Sequence, residues 1–420
     1  MKKIALAASI ALASSVTANA ADLVVAPVEP VATGVPTYNW SGFYIGLGGG
    51  TGNSVTGIGI PPLAGAEFDG VGGWGFFGEA TVGYDHMFAN RWVLGAYATA
   101  RYGTVGPSLD MPGFGLSADA TADYGFDAIA RLGYAITPGT LAYVLGGYSW
   151  QHFDISTSPN VFSYDWSSNG WVVGLGVEAV LSNRFTIKSE YRYSNYGTYN
   201  PAGPLLNVDT ATHTFHTSLV YRFNGGYTGP MIEPVEYNWT GLKLGAAVGA
   251  GVVQHDTSVL GGFASLDGIS GQGFQGDLTL GYDYQFANNW VAGVVLGARY
   301  SGISTDASVG PYSASVAADY GFDALARIGY TFGPTLAYVV GGYSWQHFDI
   351  STTPGVFSYD WGANGATIGT GVEAAFNSRL TGFLEYRYTF YDSENFNSGG
   401  LVEVQPADHT VRVGLKYKLF

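Results

Sequence analysis

The stretch "FTIKSEYRY", Phe185–Tyr193, alternates with a period of two, broken only by Ser189. Successive side chains of an extended strand point to opposite faces, so Phe185, Ile187, Tyr191 and Tyr193 share one face while Thr186, Lys188, Glu190 and Arg192 share the other. An aromatic face backed by a charged one suits a strand with hydrocarbon on one side and an enclosed polar interior on the other. "ADYGFDAIARLGY", Ala122–Tyr134, repeats the pattern, with Tyr124, Phe126, Ala128, Ala130, Leu132 and Tyr134 set against Asp123, Asp127, Ile129 and Arg131. Read with this period, the first half of the chain divides into eight strands, near residues 41–52, 73–87, 92–103, 119–135, 141–155, 164–181, 185–198 and 211–223. The links after the second, fourth and sixth are tight turns at Asn90, Pro138 and Asn183, and the others are longer and rich in Gly, Ser, Pro and Asn. Short periplasmic turns opposite longer external loops are the asymmetry of outer-membrane barrels.

Composition points the same way. Of 420 residues 63 are Gly, 15% are aromatic, only 12% are charged and none is Cys. A globular domain carries about a quarter charged residues, so something other than a charged shell covers this surface. The lack of Cys excludes disulfides and thiolate metal sites. Lys2 and Lys3, the apolar run from Ile4 and Ala18-Asn19-Ala20 form a secretory leader, residues 1–20. The net charge of −15 becomes two units more acidic without it, which argues against nucleic acid. No segment offers about 18 consecutive apolar residues, so a membrane would be crossed by a closed β-barrel, whose strands satisfy each other's backbone groups.

The chain is also duplicated. "GGYSWQHFDIST" at Gly146 returns letter for letter at Gly341, "YNWSGFYIGLGGG" at Tyr38 returns as "YNWTGLKLGAAVG" at Tyr237, and "SEYRYS" at Ser189 returns as "LEYRYT" at Leu384. The period is that of a whole domain. The expected organisation is a spacer at 21–37, a barrel repeat at 38–223, a Pro-bearing linker at 224–236 and a second repeat at 237–420. The fold class is all-β and transmembrane: an antiparallel up-and-down barrel of sixteen strands, either as two eight-stranded barrels or as one of sixteen. The linker and the separate charge set of each repeat favour two.

Tyr148 and Trp150, with Tyr343 and Trp345, arrive about ten residues after a tight turn, the length of a strand crossing a bilayer. They belong to the aromatic girdle. Inward faces carry Glu79, Asp127, Glu178 and Glu190 against Arg131, Lys188, Arg192 and Arg222, and in the second repeat Asp277, Asp323, Glu373 and Glu385 against Arg327, Arg387, Arg412 and Lys418. Balanced charge in a narrow lumen reads as an ion-pair plug, since unpaired ions there are costly and an eight-stranded interior is just wide enough for side chains to fill. A selective pore is the competing reading. His216 and Ser218 lie on the inward face, away from acyl chains, so no hydrolase is expected. His152 and His347 sit at the outer rim without further ligands in view, so neither metal nor cofactor is expected. "GLGGG" at Gly46 lies in a strand and lacks the helix and Lys of a nucleotide loop.

The leader, the short spacer, "YNWSGFYIGLGGG" and the closing "HTFHTSLVYRF" together resemble the small porin-like surface-antigen barrels of rhizobia and their relatives. That resemblance implies a surface-exposed outer-membrane protein, with outer-membrane lipid and the barrel-assembly machinery as partners. Members are described as immunogenic, haem-binding or adhesive. It also implies a terminal aromatic assembly signal, Phe420, although "KYKLF" puts Tyr417 out of phase with Phe420 and leaves Leu419 as the other candidate. The expected role is structural and antigenic; a diffusion porin and a haem-binding or adhesive protein are the alternatives.

Overall fold

The computed structural model describes residues 34–396 and 402–420. The leader and most of the spacer lie outside the described residues. Sixteen long strands account for most of the chain. The first repeat contributes β1 (Gly42–Ile60), β2 (Ala66–Met87), β3 (Trp92–Val105), β4 (Leu116–Thr137), β5 (Thr140–Ser158), β6 (Ser163–Val180), β7 (Phe185–Tyr199) and β8 (Asn207–Arg222). The second contributes β9 (Gly241–Val259), β10 (Ala264–Gln285), β11 (Trp290–Val309), β12 (Tyr312–Phe332), β13 (Thr335–Thr353), β14 (Ser358–Ala375), β15 (Leu380–Tyr391) and β16 (Val402–Lys418).

Each strand pairs antiparallel with its sequence neighbour, and each set of eight closes on itself. β8 pairs with β1 from Arg222↔Tyr44 to Asn207↔Gly59. β16 pairs with β9 from Lys418↔Lys243 to Val402↔Val259. Closure leaves no free edge and satisfies the backbone inside the membrane. "GLGGG" lies on the first seam, where a Cβ on Gly50 would meet Phe215 O at 1.8 Å. These glycines permit close strand approach.

Burial alternates as the sequence alternates. Along β7, Thr186, Lys188, Glu190 and Arg192 are buried, whereas Phe185 is exposed and Ile187, Tyr191 and Tyr193 are partly exposed. The outward band includes Leu47 at 72% and Phe274 at 80% exposure, as a hydrocarbon-facing surface requires.

The expectation of long external loops is corrected. β1 runs to Ile60 and β2 restarts at Ala66, while β11 and β12 are joined by Gly310 and Pro311 alone. Once the membrane segment has set the register, pairing continues outward because it keeps satisfying backbone groups, and residues such as Val55, Thr56 and Ile58 suit a pleated surface.

The two rings meet side by side. Phe215 stacks on Tyr386 at 5.0 Å and 11°, Leu175 and Val177 pack with Leu384 and Val411, and His213 Nε2 lies 2.8 Å from Gln272 Oε1. At the short-turn end, Thr140 Oγ1 and Thr335 Oγ1 are 2.5 Å apart. Beyond the girdle, short ladders join Asp110 to Ser265 and Asp69 to Asp306.

Candidate functional site

Strand parity delivers the charged side chains to the lumens, where they form two layers per ring. Nearer the short turns of the first ring, Arg131 donates through Nη2 to Asp85 Oδ2 (2.5 Å) and through Nη1 to Glu178 Oε2 (3.0 Å). Arg222 donates to the same two carboxylates at 2.9 Å and, through Nη1, to Trp40 O at 3.0 Å. Above them Arg192 reaches three carboxylates: Glu79 (2.7 Å), Asp127 (3.1 Å) and Glu190 (2.5 Å). Lys188 lies 3.3 Å from Glu190, and Tyr97 and Tyr143 donate to that carboxylate as well.

The second ring builds the same two layers with a different set of cations. Arg327 joins Glu373 (2.7 Å) and Asp283. Arg387 holds Asp323 (2.7 Å) and Glu385 (2.6 Å), while Arg412 holds Asp277 (2.6 Å) and Glu385. Lys418, the sequence counterpart of Arg222, is not in this network. It lies at the short-turn rim and donates to Asn238 O at 2.7 Å, because β16 ends there. Lys416, 2.7 Å from Glu373, and Lys243, 2.8 Å from Asp283, take its place. Several of the cations also rest on rings: Arg222 lies 4.7 Å from the Tyr44 centroid, and Lys416 Nζ 4.5 Å from that of Phe383. Tyr44 occupies the position of Lys243, and Phe383 that of Lys188.

The sequence reading missed Asp85, Lys243, Asp283, Arg299 and Lys416, all buried, and the partly buried Arg101. Parity would have found them, since Asp85 is in phase with Glu79 and Arg101 stands on an inward position of β3. It also missed the floor. Tyr38, Trp40 and Trp239 precede the first strand of each ring, where alternation carries no signal, yet all three are fully buried beneath the charges.

His216 belongs to this network, with Nδ1 2.9 Å from Glu79 Oε2 and Nε2 2.8 Å from Thr214 Oγ1. A void beside Arg101, Asp123 and Gln151 measures about 20 Å³, room for a single water. Among the described residues no three His, Cys, Asp or Glu side chains cluster as metal ligands. His152 and His347 sit just above the girdle, stacked on Tyr124 and Tyr320 and 2.8 and 2.9 Å from Asp123 and Asp319. In the girdle Tyr148 and Tyr343 donate to Asn169 and Asn364, and Trp150 stacks on Phe126; Trp345 stacks on Phe322. At the terminus, Leu419 N donates to Leu242 O as Phe223 N does to Phe43 O. Leu419 therefore fills the register place of Phe223, and Phe420 lies one residue beyond it.

The family model for the outer membrane protein beta-barrel domain matches twice, over residues 7–223 and 231–418. The 31 kDa outer-membrane immunogenic protein of Brucella melitensis biotype 1 is 30% identical over 53% of this chain and all of its own length. The 22 kDa outer membrane protein of Rhizobium leguminosarum bv. viciae is 31% identical over 43% of this chain and 78% of its own. Among solved structures, the attachment invasion locus protein Ail of Yersinia pestis aligns at 16% identity with a TM-score of 0.25, over 43% of this chain and 99% of its own. The P. putida toluene transporter TodX aligns at 10% identity with a TM-score of 0.26, over 90% of each chain.

Proposed function

Because the chain belongs to the outer-membrane β-barrel domain family and is an outer-membrane protein homologous to immunogenic surface proteins, we propose that it serves as a structural, non-conducting double barrel. In this reading it contributes to envelope integrity and displays its long hairpins as surface antigens. The supporting observation is Arg192, which is 1% exposed and reaches three buried carboxylates drawn from β2, β4 and β7. A cation held in this way ties together strands on different sides of the lumen, and its burial supports a filled interior.

Outer-membrane lipid and the assembly machinery are the partners of this reading, with Leu419 and Phe420 offered as the terminal signal. The test is single-channel recording of the refolded full chain in a planar bilayer. A flat baseline is expected, and stepwise conductance would make the protein a diffusion channel instead. Saturable haemin binding, followed by absorbance, would favour a haem-binding surface protein.

A further inference from the structure

The mouth of the first ring holds a cavity of about 310 Å³ that the ion-pair network does not use. All eight strands contribute to its wall, which includes Val71, Phe153, Trp166, Tyr199, Pro201 and Val208, and none of its lining residues is charged. The aromatic side chains form a ladder: Phe153 stacks on Trp166 at 5.1 Å and 16°, and Trp166 on Tyr199 at 5.8 Å and 5°. Beneath lies an apolar floor of Phe77, Val105, Ala122 and Tyr196. Arg101 donates to the Tyr196 hydroxyl at 2.8 Å from the charged layer below. The cavity is a cup above a plug.

The second ring supplies an internal comparison. It repeats the first rung of the ladder, with Phe348 stacked on Trp361 at 5.1 Å and 19°, and has Glu394 in the place of Tyr199. Its β15 segment "YRYTFYDSENF", Tyr386–Phe396, aligns without a gap on "YRYSNYGTYNP", Tyr191–Pro201. Phe396 therefore stands where the first ring has Pro201. Its phenyl ring packs edge-on against Trp361 (5.4 Å, 88°) and at 65° to Tyr359 (5.4 Å). One copy of the cup is filled by a phenyl group of the chain itself, and the other has a proline at that place. Edge-to-face contact of this kind is a favoured aromatic geometry.

We propose that the mouth of the first ring is a binding site for a small uncharged aromatic molecule of one or two fused rings, taken up from outside the cell. An apolar cavity of about 150 Å³ accepts benzene, and this one has about twice that room. The proposal does not depend on whether the lumen conducts, so a conductance result leaves it standing.

The experiment uses the full chain in lipid nanodiscs with 1-fluoronaphthalene as probe, followed by ¹⁹F NMR; partition into lipid is linear and is separated from saturable binding by titration. Wild type should show one saturable site. Pro201→Phe should weaken it at least tenfold, and Phe396→Ala should raise the stoichiometry from one to two. Heat-modifiability on gels checks that each variant has folded. The proposal is overturned if wild type shows no saturable binding, if Pro201→Phe binds as wild type does, or if Phe396→Ala leaves one site. Unchanged binding in Pro201→Phe would place the probe elsewhere, for example in the groove between the rings at Leu175, Phe383 and Val413.

Discussion

Arg192→Ala separates a plugged lumen from a watery one. In the folded chain Arg192 touches Glu79, Asp127 and Glu190. When it is removed, Asp127 keeps Arg101 at 2.6 Å and Glu190 keeps Lys188 at 3.3 Å. Glu79 keeps His216 at 2.9 Å and the Thr81 hydroxyl at 3.2 Å, so one carboxylate is left buried without a permanent counter-charge. Breaking a buried pair from one side costs about 3–5 kcal/mol, and about 3 is expected here because two of the three carboxylates retain partners. Urea unfolding of the refolded full chain in lipid vesicles, read by Trp fluorescence, measures the loss. Arg192→Met combined with Glu79→Gln should recover most of it, because the orphaned charge disappears with its partner. Arg387→Ala in the second ring should cost less, since Arg387 holds two carboxylates and Arg412 remains on Glu385. A loss below about 1 kcal/mol, the range of solvated pairs, together with altered ion selectivity, would refute the plug.

We also propose that each repeat folds alone: Ala21–Asn224 and Met231–Phe420, refolded separately in detergent, should each give a heat-modifiable, protease-resistant species, and failure of both would show that the rings need each other. Cysteines introduced at Thr140 and Thr335 should cross-link on oxidation in this Cys-free chain, and no cross-link would contradict the side-by-side packing. Burial pushes the His347 ring down, but Asp319 and Asp360 outweigh it and leave its pKa above the ordinary value. Its contribution to stability is therefore complete below the unfolded-state value, about 6.5, and is lost as pH rises through the folded value. An NMR titration should show the raised midpoint, and Asp319→Asn should bring it back down. A tag inserted at Gly310 should be labelled on intact cells while one at Asn90 is not; the reverse pattern would invert the topology.

Strand identity and facing were legible because alternation is local: Lys188, Glu190 and Arg192 show their side within nine residues. Ring closure was not, because β8 meets β1 across 148 to 178 residues and nothing in either strand names its partner. The choice between one ring and two therefore rests on the linker and on the separate charge set of each repeat. Strand ends were misjudged where Gly and Ser reduce the apolar signal although pairing persists, as at Gly57, Asp69 and Asp306. Charge positions were legible by phase but not by depth, and for that reason Lys418 was placed in a layer that Lys416 and Lys243 occupy. Trp40 and Trp239 lie before the periodic region, and only the tertiary structure shows that they close the floor.

The exchange of cation positions bears on how a duplicated chain avoids confusing its own halves. The strands of the two repeats are similar enough that β16 could in principle close onto β1, or β8 onto β9, during assembly. In the native rings Arg222 lies over Tyr44 and Lys416 over Phe383. A ring that joined β7 to β16 would set Lys188 beside Lys416, whereas a β8–β9 junction would only exchange the native Lys418–Lys243 pairing for Arg222–Lys243. The first of these brings like charges together in a dehydrated interior, where their repulsion is least screened. The divergence between the repeats thus makes β16 a poorer neighbour for β7 than β8 is, so the exchanged cations favour closure of the first eight strands on themselves.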